Sequence, residues 1–191
     1  MQHVFVQAGA YLQPCGWLRR SIDKYPDSLA YVIEANKFQW PIIEKAIVDK
    51  GYDGRIKLIK RAVWDADDQE ISFYTGAGRK ETTVRASACS DKWNWHPRDT
   101  IESPILTMDF SKWIAEHNAL GRQCHAIMDI EGAEFCVLSK MIADDTLYTM
   151  GRLEVEWHAH KMRKSKRQFY TLWRKAIVEY WRARKHPRQK V

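Results

Sequence analysis

The chain carries no C-x-x-C pair, no G-x-G-x-x-G run and no apolar stretch long enough to cross a bilayer. Each absence removes a class of protein. The four cysteines, Cys15, Cys89, Cys124 and Cys136, stand singly inside or beside apolar patterns. Thiols so placed read as reduced and partly buried, not as disulfides or a zinc set, which points to an intracellular compartment. No basic leader with a cleavage site precedes the first apolar run at Val4, and no segment reaches the roughly 20 apolar residues of a membrane span. The expectation is a soluble, unprocessed, cytoplasmic protein. The glycine-rich turn of dinucleotide-binding proteins is also missing, because Gly9 is followed by Ala10-Tyr11-Leu12-Gln13-Pro14-Cys15-Gly16; a pyrophosphate is poorly served there.

No repeat, low-complexity tract or linker divides the sequence, and 191 residues fit one domain over 1–191. Charge is unevenly spread. Residues 161–191 hold 12 of the 31 Lys and Arg against a single acid, Glu179, leaving 19 bases against 23 acids in residues 1–160. A slightly acidic body thus ends in a strongly basic segment.

Short apolar runs rich in β-formers, Val4–Val6 before Gly9 and Leu29–Ile33 before Glu34, predict buried strands, with a helix from Trp17 that ends near Pro26. Asn36 is expected to cap the next helix, with Pro41 in its first turn, Ile42, Ile43, Ala46 and Ile47 on one face and Gly51 as its stop. Ile56 to Val63 reads as a third strand. The stretch from Ile71 to about Pro104 is irregular, with alternation at Ile71–Phe73 and at Thr82, Val84 and Ala86 suggesting a hairpin around Gly76 and Gly78. Asp109 opens a helix carrying Phe110, Trp113, Ile114 and His117 that Gly121 ends, and a strand Cys124–Met128 runs into Asp129-Ile130-Glu131-Gly132-Ala133-Glu134. A further helix follows, then a fifth strand from Arg152 to Trp157. Last comes a long helix (about 161–187) in which Phe169, Leu172, Trp173, Ala176, Ile177, Tyr180 and Trp181 form one apolar stripe facing the core. Alternating strands and helices imply an α/β, Rossmann-like, mostly parallel sheet covered on both faces.

In such sheets the strand ends meet in one crevice, so the acids and glycines that close the apolar runs are the candidate site. A glycine turn after the first strand and an acid after the second are the coarse signature of an adenosine-containing cofactor, and Gly9 and Glu34 occupy those positions. Asp129 closes the fourth strand, and Glu156 and His158 close the fifth. Asp129 can also cap the helix that begins near Gly132, with Glu131 and Glu134 complementing its dipole. Glu154, Glu156, His158 and His160 alternate in a way that suits a divalent metal, but without a third separate source of ligands no metal is assigned. Trp93, Trp95 and His96 read either as a substrate-facing wall or as a loop anchored by buried rings.

Taken together the motifs resemble the FkbM-type methyltransferases of the class I S-adenosylmethionine-dependent fold. The family's D-x-G-A-N is similar to Gln7-Ala8-Gly9-Ala10-Tyr11, its F-E-P-N to Ile33-Glu34-Ala35-Asn36, and its A-V-x-D to Ala62-Val63-Trp64-Asp65. Its T-L-D resembles Thr107-Met108-Asp109, its D-x-E-G-x-E is reproduced at Asp129, Glu131, Gly132 and Glu134, and its I-E-x-H is similar to Val155-Glu156-Trp157-His158. Gln7 and Tyr11 depart from the pattern, the second glycine of the loop is replaced by Gln13 or displaced to Gly16, and no sequence remains for the family's closing antiparallel strands. The resemblance implies S-adenosylmethionine as cofactor, held at Gly9, Ala10, Glu34, Asn36, Ala62, Val63, Asp65 and Asp129. It implies Asp129 near the reacting centre and Glu156 or His158 as proton acceptor, with a hydroxyl of a sugar, glycan or small metabolite as substrate. Methyl transfer from a sulfonium needs no metal. Two other expectations remain open: an RNA-directed methyltransferase using the basic C-terminal helix on phosphates, and a binding module whose degenerate loop has lost catalysis.

Overall fold

The computed structural model describes residues 1–76, 87–89 and 100–185. Along the chain come β1 (Gln2–Ala8), α1 (Gly16–Lys24), β2 (Leu29–Ile33), α2 (Trp40–Asp49), β3 (Ile56–Ile59), β4 (Ala62–Trp64), β5 (Glu70–Gly76), β6 (Thr100–Asp109), α3 (Phe110–Ala119), β7 (Arg122–Met128), α4 (Glu134–Ala143), β8 (Arg152–Val155) and α5 (Lys164–Lys185). Short 3₁₀ turns lie at Thr146–Thr149 and Ala159–Lys161. Five strands form a parallel sheet in the order β3-β2-β1-β7-β8. Helices flank it, so the chain has the α/β, Rossmann-like fold that its alternating elements predict.

The period-2 geometry of the strands sorts side chains into two cores. From β1, Val4, Val6 and Ala8 join Cys124, Ala126 and Met128 of β7 under Phe110, Ile114, Phe135, Leu138 and Met141 of α3 and α4. Phe5, with Ala30 and Val32 of β2, packs on the other face under Leu18 and Ile22 of α1 and Ile43 and Ile47 of α2. Leu18, Ile43 and Val137 are wholly excluded from solvent, each contributing about 1.5–3 kcal/mol by burial. The four cysteines are free thiols, and none of the helices described is long and apolar enough to cross a membrane.

Three local expectations are corrected. The strand foreseen over Ile56–Val63 breaks at Lys60 and Arg61. Arg61 donates to the Thr107 carbonyl and pairs with Asp68, and Ala62–Trp64 then lies parallel to Thr107–Asp109 in a second sheet, β4-β6-β5. β5 pairs antiparallel with β6 along its length and is bridged antiparallel to Ser87 at Tyr74; the expected hairpin partner Thr82–Ala86, with Gly78, Trp93, Trp95 and His96, lies outside the described residues. Pro104 disguised β6 as a loop; it sits where β6 is paired by β5 alone among the described strands, so its missing N–H breaks no ladder there. Asn36 does not cap α2. Its side chain accepts from the Phe38 N–H and closes the turn before the helix, whose first turn holds Pro41 as expected.

The stripe on α5 is also divided. Tyr170 and Ile177 are buried and Trp173 and Trp181 half-buried, while Phe169, Leu172, Ala176 and Tyr180 face solvent. The helix packs against α4 and the Thr146–Thr149 turn along one line of contact. Such a line covers residues at i, i+3, i+7 and i+11 and leaves the neighbouring arc bare.

Candidate functional site

In a parallel sheet every strand delivers its C-terminal end to the same edge, and the crevice opens where neighbouring strands connect in opposite directions. Here that point lies between β1, which continues to β2, and β7. A cavity of about 650 Å³ opens at this edge, walled by Gly9 after β1, Glu34 and Ala35 after β2, Ala62 and Val63 of β4, Phe73 of β5, Asp129, Ile130 and Glu131 after β7, and Glu156 after β8. Four chain segments far apart in sequence therefore contribute acids or glycine to one space.

Gly9 adopts φ +82, and a Cβ at this residue would stand 1.8 Å from the Asp129 carbonyl oxygen. Its bareness lets the ends of β1 and β7 touch. Gln7 is buried and serves the loop: its Oε1 accepts from the Cys15 N–H at 2.7 Å, and its Nε2 donates to the carbonyls of Gly9 and Gln13. Tyr11, in the left-handed region at φ 57, lies on the cavity wall without closing it.

Glu34 is buried, and its two oxygens accept the N–H groups of Ala10 (2.8 Å) and Asn36 (2.7 Å). Burial holds its carboxyl above the usual range even against these backbone hydrogen bonds. Ala10 and Asn36, both expected at the cofactor, thus meet Glu34 and not the cavity wall. Asp65 is likewise off the wall. It stands within electrostatic reach of Lys140 and of Cys136, a thiol that burial first, and Asp65 second, push up to about 12.

At the other side of the switch point the carboxylates are less well served. Asp129 Oδ1 is buried with no hydrogen-bond partner among the described residues. Burial, then the charge of Glu156, push its carboxyl up to about 6, with His158 opposing. His158 is completely buried and does not reach the cavity wall. Its Nδ1 lies 3.2 Å from Glu134 Oε1, which also accepts the His158 N–H at 2.7 Å, while Glu134 Oε2 accepts from Gly132 N–H at 2.8 Å. Burial alone would lower the His158 pKa, but the Glu134 hydrogen bond and charge reverse this and raise it. Glu131, at φ 55, accepts two side-chain bonds from Lys161 Nζ at 2.9 and 3.0 Å.

Sequence reasoning treated Glu134 as a complement to a helix dipole and Asp129 as a possible cap. In the structure α4 starts after Ala133 without a side-chain cap, and Glu134 is the anchor that ties the β7 loop to the end of β8. The signal was present in the x-E-G-x-E and E-x-H spacings, but only tertiary contact joins them. Lys161 and Arg167, which the sequence offers only as tail charge, line the cavity beside Glu156, together with His160. The chain matches no family model, no curated protein and no solved structure.

Proposed function

We propose that the chain is an S-adenosylmethionine-dependent O-methyltransferase acting on a hydroxyl of a sugar, glycan or small metabolite. The observation that carries this reading is the convergence of Glu34, Asp129 and Glu156 on one cavity at the switch point of the sheet. The residues present suit the cofactor. Glu34 lines the cavity with its carboxylate held by backbone N–H groups, those of Ala10 and Asn36 among them, where a ribose hydroxyl donates to it. Ala35, Val63, Phe73 and Ile130 provide apolar wall for a base. When bound, the sulfonium supplies an activated methyl group for in-line transfer to an acceptor oxygen. The chain's share of the work is alignment and proton removal. Asp129, with its carboxyl near 6, and Glu156 are the cavity-facing groups that take the proton. His158, enclosed behind them, acts as a positioning residue through its bond to Glu134.

Isothermal titration of the full chain with S-adenosylmethionine tests this. Hydrogen bonds to a charged group are worth about 1.5–3 kcal/mol, so Glu34→Ala weakens binding roughly ten- to a hundredfold, with circular dichroism confirming that the variant is folded. Absence of heat with the native chain removes the enzyme reading and leaves a binding module.

A polyanionic acceptor such as RNA is the second reading. Arg167 of α5 lines the cavity with His160 and Lys161, and the same helix continues with exposed Lys164, Lys166, Arg174, Lys175 and Arg182. RNA bound there dissociates steeply with added salt; salt-independent or undetectable binding dismisses it.

A further inference from the structure

Three side chains at the ends of β7 and β8 have a geometry that hydrogen bonding does not account for. Asp129, Glu156 and His158 place one ligand atom each within 4.8 Å of one another. His158 Nε2 stands 3.5 Å from Asp129 Oδ1 and 3.4 Å from Glu156 Oε1. Both Nε2 and Asp129 Oδ1 are buried without a hydrogen-bond partner among the described residues. Nitrogen and oxygen ligands held about 2.1 Å from one cation stand roughly 3.0–3.4 Å apart in octahedral or tetrahedral coordination. The two separations from Nε2 lie close to the upper end of that range.

The outer arrangement agrees. A ligating imidazole commonly gives its other N–H to a carboxylate, which sets the tautomer and aims the free lone pair at the metal. Glu134 takes this part at His158 Nδ1, itself fastened by the backbone N–H groups of Gly132 and His158. Nε2 is then the nitrogen left with a lone pair, 3.5 Å from Asp129 and 3.4 Å from Glu156. Glu131, the next carboxylate at 3.8 Å from Nε2, is engaged by Lys161. The three ligands come from two adjacent strands, locked in register by the bond from Glu156 N–H to the Met128 carbonyl at 2.8 Å. Glu154 and His160, which share the alternation in the sequence, take no part: β8 ends at Val155, Glu154 pairs with Arg152, and His160 lies in the following 3₁₀ turn.

We propose that Asp129, Glu156 and His158 bind a divalent first-row transition metal ion at the cavity edge. One imidazole and two carboxylates form a mixed N/O set, suited to Mn²⁺, Fe²⁺ or Zn²⁺ and poorly suited to Ca²⁺, which takes six to eight oxygens. Asp129 and Glu156 line the cavity, so the remaining coordination positions are available to an oxygen ligand there. The ion would polarise an acceptor hydroxyl and make its proton easier to lose. The inference goes beyond the choice of methyl donor and does not rest on it.

The test is Mn²⁺ binding to the chelator-treated full chain, read from the loss of the free-ion electron paramagnetic resonance signal. One site per chain is expected, with nitrogen coupling from a single imidazole in the pulsed spectrum. Zn²⁺ displaces the bound ion and excess Ca²⁺ does not. Glu156, whose side chain is 60% exposed, can be changed without disturbing the core, and Glu156→Gln weakens binding roughly tenfold or more. Absence of stoichiometric binding, absence of nitrogen coupling, displacement by Ca²⁺ or an unaffected Glu156→Gln variant each overturns the proposal. Titrating S-adenosylmethionine in the presence of chelator separates the two readings: donor binding without Mn²⁺ binding sinks only the metal site, and the reverse sinks only the donor.

Discussion

At the end of β2, Glu34 lies buried with each carboxylate oxygen accepting a backbone N–H, and it fastens the loop after β1 to the loop after β2. At the end of β7, across the switch point, Asp129 lies half-buried with Oδ1 unpartnered and faces Glu156 and the unpartnered Nε2 of His158. The two halves of one rim thus treat their carboxylates in opposite ways. The first is complete in itself, its carboxylate held by backbone N–H groups. The second gathers negative charge around an imidazole at an electrostatic cost, which a structure tolerates when something positive is to be held or a proton is to be moved. What permits this is a copy of the Glu34 device one step deeper: Glu134 accepts two backbone N–H groups and carries His158 on the same oxygen.

The most severe way to break the comparison is to remove that device from the second half. Glu134→Ala strands two buried N–H donors and the His158 ring, and we expect a loss of about 3 kcal/mol or more in urea denaturation. Glu134→Gln, which keeps an acceptor oxygen, loses less. Equal stability of Glu134→Ala and the native chain would mean that Glu134 anchors nothing.

Next comes the seam between the halves. Gly9→Ala forces a Cβ into the Asp129 carbonyl and should cost roughly 2 kcal/mol or more. Gly54→Ala, at φ +73 with nothing within 4 Å, isolates the left-handed backbone strain, about 1–2 kcal/mol. A Gly9 effect no larger than that of Gly54 would show that the strand ends can part.

The smallest effect sharpens the contrast between histidines. Where Glu134 raises His158, His117 on α3 is lowered by burial and then by Arg122, whose Nη1 donates to its Nδ1. A buried histidine with a depressed pKa stays neutral in the fold, so its share of stability is present above about 6.5, the ordinary value, and is lost as pH falls through the folded value. Denaturation midpoints from pH 8 to 5 should fall less steeply in His117→Phe, by under about 1.4 kcal/mol per pH unit. An unchanged slope would contradict the assignment.

Much of this architecture was legible residue by residue. The apolar runs Val4–Ala8 and Cys124–Met128 are strands as predicted, the first buried on both faces and the second on one with the other half-buried, and Asp109 caps α3 as its position predicts. The breaks came where long-range contact overrode local pattern. Arg61 reaches Thr107 and pulls one apolar run apart into β3 and β4. Pro104 sits in a strand that needs no N–H at that point. On α5 the apolar residues outnumber the places that α4 can cover.

The same division holds for the site. Glycine, glutamate and aspartate at the ends of apolar runs were enough to mark the C-terminal edge of the sheet as the place for chemistry, because strand direction in an α/β fold leaves those residues little choice of location. Whether a given acid is satisfied or held open is a different matter. Glu34, Glu134 and Asp129 look alike in the chain, and their roles depend on which backbone N–H groups and rings from other segments come within hydrogen-bonding reach. Local pattern decides which edge a side chain occupies; only packing decides which partners, and hence which charge and proton, it keeps there.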